Sequence, residues 1–190
     1  MKKVFLIHGF EGTPNGGWRP WLMSELDKKN IYCCALPMPS PKDPICSEWI
    51  EEIASNVKNN FEDTILVGHS LGSPAILRYL ESQADNACLA GVILVSGPCE
   101  KILADKPDSK LRKIDGFLES SFDFKKLKLK AKKFIVIHGD NDNKVPLDQG
   151  QFVSRELDCE LIAIKNGGHL SGDDGYTALP EALEKILEMI

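Results

Sequence analysis

Six short apolar runs punctuate the chain, at residues 4–7, 31–36, 64–67, 89–96, 133–138 and 160–164. Each is a few residues long, rich in β-branched or aromatic side chains and bounded by turn residues, so each is read as a strand. The fourth, Leu89 to Ser96, is apolar on both faces, as a central strand of a parallel sheet has to be. Between the strands the hydrophobic period lengthens. In Ser47 to Phe61, the residues Trp49, Ile50, Ile53, Val57 and Phe61 recur at helical spacing, with Ser47 as the expected cap. Helices are also predicted over Pro20 to Lys28 (Trp21, Leu22 and Leu26 on one side), Ser73 to about Ala84, and Leu147 to Glu156. A short helix is expected over Asp123 to Leu129. A terminal helix is expected over Tyr176 to Met189, with Leu179, Leu183, Ile186, Leu187 and Ile190 as its apolar side. Gly97 to Ser121, with Pro98, Pro107 and many charges, is the least regular stretch and the one candidate for a small cap.

This alternation of strand and helix predicts an α/β fold. The expectation is a six-stranded, mainly parallel sheet with helices on both faces, one domain over residues 1–190, and no large lid domain. Sites in such folds lie at the carboxyl ends of the strands. Composition changes this picture little: 43% hydrophobic and 27% charged residues are ordinary for a globular chain. A net charge of −5 without a basic patch points away from nucleic acid and membrane surfaces, towards a small molecule or short peptide. The six cysteines form no C-x-x-C with a paired histidine and no disulfide framework, so they read as reduced thiols, with no metal or other cofactor expected. The apolar start stops at His8-Gly9, too soon for a signal peptide, and no run would span a bilayer; a cytoplasmic location is expected.

The chemistry centres on Gly68-His69-Ser70-Leu71-Gly72. A G-x-S-x-G between a buried strand and a helix has the context of a nucleophile elbow, a turn so tight that the serine is strained and its Oγ is pushed out at the strand end. The amide of Leu71, at the helix N-terminus, is then placed to stabilise an oxyanion. A serine also needs a base and an orienting acid, in the chain order Ser, Asp or Glu, His. His169, in Asn166-Gly167-Gly168-His169 after the sixth strand, is the last histidine and fits the base. Asp140 and Asp142, in the loop after the fifth strand, compete for the acid; the other one would organise its turn. A second oxyanion donor should come from the loop after the first strand, from the amide of Phe10 or, failing that, of Glu11. His8 and His138 read as packed or loop-fixing, and His69 as the variable position of the elbow.

With these residues in place the chain resembles an α/β-hydrolase. More narrowly, it is similar to the small, lidless serine hydrolases grouped with retinoblastoma-binding protein 9 and the YdeN-type proteins. The features shared are Trp18-x-x-Trp21-Leu22 with Glu25-Leu26, Leu36-Pro37-Met38-Pro39, Trp49, and Gly68-His69-Ser70 running into Arg78-Tyr79. The resemblance implies a six-strand core and a triad of Ser70, Asp142 and His169, the D-x-x-V-P spacing from Asp142 to Pro146 selecting that aspartate. It also implies esterase-type or peptidase-type chemistry without a cofactor. The expected activity is hydrolysis of small or short-chain acyl esters through an acyl-enzyme, in an open site lined by Phe10 and Trp18. The rivals are a peptidase or amidase with the same triad, and an interaction protein whose triad is idle.

Overall fold

The computed structural model describes residues 2–58, 60–100 and 114–190. The six apolar runs become β1 (Lys3–Ile7), β2 (Tyr32–Leu36), β3 (Thr64–His69), β4 (Gly91–Val95), β5 (Phe134–Gly139) and β6 (Glu160–Ile164). They form one sheet in the order β2-β1-β3-β4-β5-β6, and every pairing is parallel. Seven helices accompany them among the described residues: α1 (Arg19–Asp27), α2 (Cys46–Val57), α3 (Gly72–Ser82), α4 (Asp115–Leu118), α5 (Phe124–Leu127), α6 (Leu147–Leu157) and α7 (Pro180–Glu188).

Strand side chains alternate between two cores, because the pleat sends successive residues to opposite faces. Phe5, Ile7, Leu66, Val92, Leu94 and Val136 pack on one face with Trp49 and Ile53 of α2, Ile76 and Leu80 of α3, and Val153 of α6. Val4, Leu6, Ile65, Val67, Ile93 and Ile135 pack on the other with Leu22 and Leu26 of α1 and Ala182 and Ile186 of α7. Apolar surface removed from water on both faces, at about 25 cal/mol per Å², is the main force holding the sheet in place. The neighbours of β1 explain where a site forms. The chain leaves β1 for β2 on one side, then crosses to β3 on the other. Loops leaving β1 and β3 therefore part in opposite directions and open a crevice at the carboxyl ends of the strands.

Four expectations are corrected. Ser47 does not cap α2: the helix begins one residue earlier, after Ile45 in an extended conformation, so Ser47 already lies in the first turn. That helix ends at Val57, where Lys58 takes a positive φ of 52°, and Phe61 belongs instead to a 3-10 turn, Phe61–Asp63. The terminal helix begins at Pro180, a residue suited to a first helical turn, and Tyr176 stays in the preceding loop. Its apolar side is narrower than expected, since Leu187 and Ile190 are exposed. Within the stretch expected to be a cap, residues 101–113 lie outside the described residues. Its end folds as α4, where Phe117 and Leu118 are buried. Arg78 of α3 ties that segment down, its Nε donating to Phe117 O at 3.0 Å and its Nη2 to Ser120 O.

Candidate active site

Ser70 follows β3 directly and has φ of 52°, a left-handed conformation that a residue with a Cβ adopts only when its surroundings impose it. The surroundings do so by backbone contact. The Ser70 amide donates to Val95 O at 2.8 Å, tying the turn to β4. Ser73 Oγ donates back to Gly68 O at 3.0 Å. Gly72 sits so close to β1 that a Cβ there would lie 2.3 Å from Ile7 O, and one on Gly68 would lie 2.6 Å from Gly72 C. Both elbow glycines are therefore fixed by close approach.

The loop after β5 carries Asp142, which is buried. Its Oδ1 accepts from the amides of Lys144 and Val145, each at 2.9 Å, and its Oδ2 accepts from His169 Nδ1–H at 2.7 Å. Burial pushes this carboxyl up, but the hydrogen bonds from His169 and the Val145 amide outweigh it and hold it below the ordinary carboxylate range. His138, also buried, donates Nε2–H to Val145 O at 2.8 Å and stands 3.5 Å from Asp142 Oδ2. Burial holds His138 below its usual value, so a neutral imidazole walls the carboxylate from behind.

The loop after β6 carries His169, which is only 5% exposed. It is fixed from several directions. Asp140 Oδ1 accepts from the Asn166 amide and Asn141 Oδ1 from the Gly168 amide, each at 2.7 Å. Asp174 Oδ2 accepts from the His169 amide at 3.2 Å, and His69 Nε2–H donates to His169 O at 2.9 Å. Asp140 thus bridges to the neighbouring loop, where its own turn was expected to claim it; the turn is organised by Asp142. His69 is pushed down to about 3, by burial first and by the neighbouring His169 next, so it is a neutral donor there.

Ser70, Leu71, Phe10, Trp18 and His169 all face one cleft of about 820 Å³. With Nδ1 committed to Asp142, the Nε2 of His169 is the nitrogen left for chemistry. Ser70 Oγ makes no hydrogen bond among the described residues. The amides of Phe10 and Leu71 likewise find no acceptor among the described residues, whereas the Glu11 amide is taken by Pro41 O at 2.8 Å. Phe10 is half-buried in the wall. Trp18 is almost wholly buried, and its Nε1–H donates to Leu170 O at 3.0 Å, so it supports the His169 loop from below. Among the described residues no group of three or more His, Cys, Asp or Glu could hold a metal ion, and no helix is long and apolar enough to cross a membrane.

Comparison with known proteins agrees with this arrangement at the level of family. A family model described as serine hydrolase matches residues 4–188. The chain belongs to that family. YdeN of Bacillus subtilis (strain 168) is 35% identical over 179 residues, covering 94% of this chain and 91% of YdeN. The crystal structure of the B. subtilis ydeN gene product superposes with a TM-score of 0.91 at 34% identity, covering 100% of this chain and 98% of that one. The serine hydrolase RBBP9 of Rattus norvegicus is 27% identical over 175 residues, covering 90% of this chain and 89% of RBBP9. Sequence reading of this serine hydrolase missed Asn141 and Asp174, whose side chains hold the His169 loop across 27 and 5 residues respectively. The Asx-rich composition of both loops was the available signal; their pairing was not in it.

Proposed function

We propose that this hydrolase cleaves small or short-chain acyl esters by a two-step acyl transfer to water, using Ser70, Asp142 and His169 as a triad. His169 Nε2 takes the proton from Ser70 Oγ as Oγ attacks the carbonyl carbon. Asp142 holds the imidazole in the tautomer with Nδ1–H and stabilises its charged form. The amides of Phe10 and Leu71 receive the oxyanion, each such donor being worth roughly 10²–10³ in kcat. The alcohol departs with the proton from His169. Water, deprotonated by the same imidazole, then releases the acid from Ser70.

The observation that carries this reading is the buried Asp142–His169 pair at 2.7 Å, with Nε2 left over, in the cleft that Ser70 enters in a strained turn. A fluorophosphonate probe tests it directly. The expected result is a single adduct on Ser70 by mass spectrometry, absent in Ser70→Ala, which keeps the fold and loses on the order of 10⁴–10⁶ in ester turnover. A folded protein that is not labelled, or a Ser70→Ala variant with full turnover, overturns the mechanism.

A further inference from the structure

Arg19 is a buried cation that the acyl-transfer steps do not use. It opens α1, lines the same cleft as Ser70 and is only 6% exposed. No carboxylate pairs with it among the described residues. Its Nε and Nη2 both donate to one backbone oxygen, Thr13 O, at 3.1 and 2.9 Å. A guanidinium has five N–H groups, so most of its donor capacity is left over, on the Nη1 side. Leaving a buried guanidinium without a counter-charge is costly, and proteins rarely do so without a reason.

The pocket is also shaped around it. Gly16 stands against the guanidinium: a Cβ at that position would lie 2.8 Å from Nη2. Arg19's charge reaches His69, the residue that precedes Ser70, and helps to hold that imidazole neutral. The exposed carboxylates of Glu11 and Asp173 and the exposed ammonium of Lys144 also line this cleft. These three stand in water, where their fields are screened, whereas Arg19 is largely shielded from it.

We infer that Arg19 is an anion-reading residue of the substrate site, and that the preferred esters carry a carboxylate on the acyl chain, as in monoesters of short dicarboxylic acids. The carboxylate would lie against the free edge of the guanidinium while the ester carbonyl reaches Ser70. This rests on the proposed acyl-transfer reading and sharpens its substrate class. Arg19 touches substrate at a distance from the reacting atoms, so its effect belongs in selectivity.

The test compares p-nitrophenyl monoesters of succinate, glutarate and adipate with the neutral p-nitrophenyl butyrate, in wild type, Arg19→Gln and Arg19→Lys. In wild type the best hemiester is expected to exceed the butyrate in kcat/KM. In Arg19→Gln that ratio should fall about 10- to 100-fold, as the loss of a charge-assisted hydrogen bond predicts. Arg19→Lys should restore part of it. A clamp on Thr13 alone would lower turnover of both esters together and leave the ratio unmoved. Equal kcat/KM for hemiesters and butyrate in wild type overturns the inference without any variant, so it stays decidable if Arg19→Gln does not fold. Calorimetry with monomethyl glutarate separates the two readings. An unlabelled, inactive protein that still binds the monoester through Arg19 would sink the acyl-transfer reading and keep the anion site. A labelled, active protein that ignores the carboxylate would do the reverse.

Discussion

The two halves of the candidate site are held by different means. The Ser70 half is fixed by backbone against backbone. Gly68 and Gly72 let β3, α3 and β1 touch, and the Ser70 amide is bonded to Val95 O. The Asp142–His169 half is fixed by side chains reaching to backbone across two loops, from Asp140, Asn141 and Asp174. The first half is part of the buried sheet and cannot move without breaking it. The second lies at the sheet's end and is positioned by individually modest hydrogen bonds, each worth about 0.5–1.5 kcal/mol. In the proposed mechanism, the strained nucleophile sits on the rigid half, and the base that would exchange protons with serine and leaving group sits on the adjustable one.

The sharpest way to break the comparison is a matched pair of alanine substitutions. In Gly72→Ala the new Cβ meets Ile7 O at 2.3 Å, and in Gly139→Ala it meets Gly168 O at 2.1 Å. The contacts are comparably short, but the first presses α3 against the central strand β1 and the second presses the end of β5 against the His169 loop. Gly72→Ala is expected to lose about 3 kcal/mol or more in denaturant unfolding, and Gly139→Ala about half of that, because the loop carbonyl of Gly168 can give way more readily than the strand carbonyl of Ile7. Gly139→Ala should nevertheless slow phosphonate labelling of Ser70 strongly. Equal stability losses would mean that the two halves are equally rigid.

Asn141→Ala addresses the adjustable half alone. It removes the acceptor for the Gly168 amide and should cost about 1 kcal/mol in stability. The accompanying loss is roughly tenfold in kcat with little change in KM, since a slightly misplaced base is felt in the chemical step. An unchanged kcat would show that Asp140 and Asp174 suffice.

The smallest effect concerns pH. His69 has an ordinary value of 6.5 and a folded one of about 3, set by burial. Between those values the unfolded chain binds a proton that the folded one refuses. Stability is therefore complete above about 6.5 and falls as the pH drops towards 3, the slope being positive with pH. His8 and His138 are also lowered by burial and add to the same trend. Asp142, held below its ordinary value, keeps its contribution above that value and loses it only at still lower pH. Thermal melts should show this, and His69→Gln, which keeps a donor for His169 O, should flatten the acid limb. A variant as acid-sensitive as wild type would place the trend on other groups.

What was legible in the sequence was local. The runs at 64–67 and 89–96 had to be buried strands because no exposed element tolerates that much apolar surface, and a G-x-S-x-G between strand and helix had few other ways to fold. The chain order Ser70, Asp142, His169 was visible for the same reason, each residue standing just past a strand. Helix ends were less so: Ser47 lost its expected role because the helix begins at Cys46, and Leu187 and Ile190 follow helical spacing yet stay exposed. Tertiary structure alone decided which oxygen of which loop residue meets which amide. Asp140 left its own turn for Asn166, and the Glu11 amide was claimed by Pro41 O. It also decided that Arg19, an ordinary residue in an ordinary helix start, would be buried in the wall of the serine's cleft with no carboxylate to pair with among the described residues. Periodicity and turn chemistry act within a few residues of the chain. Burial, charge pairing and hydrogen-bond competition depend on neighbours that only the closed sheet brings together.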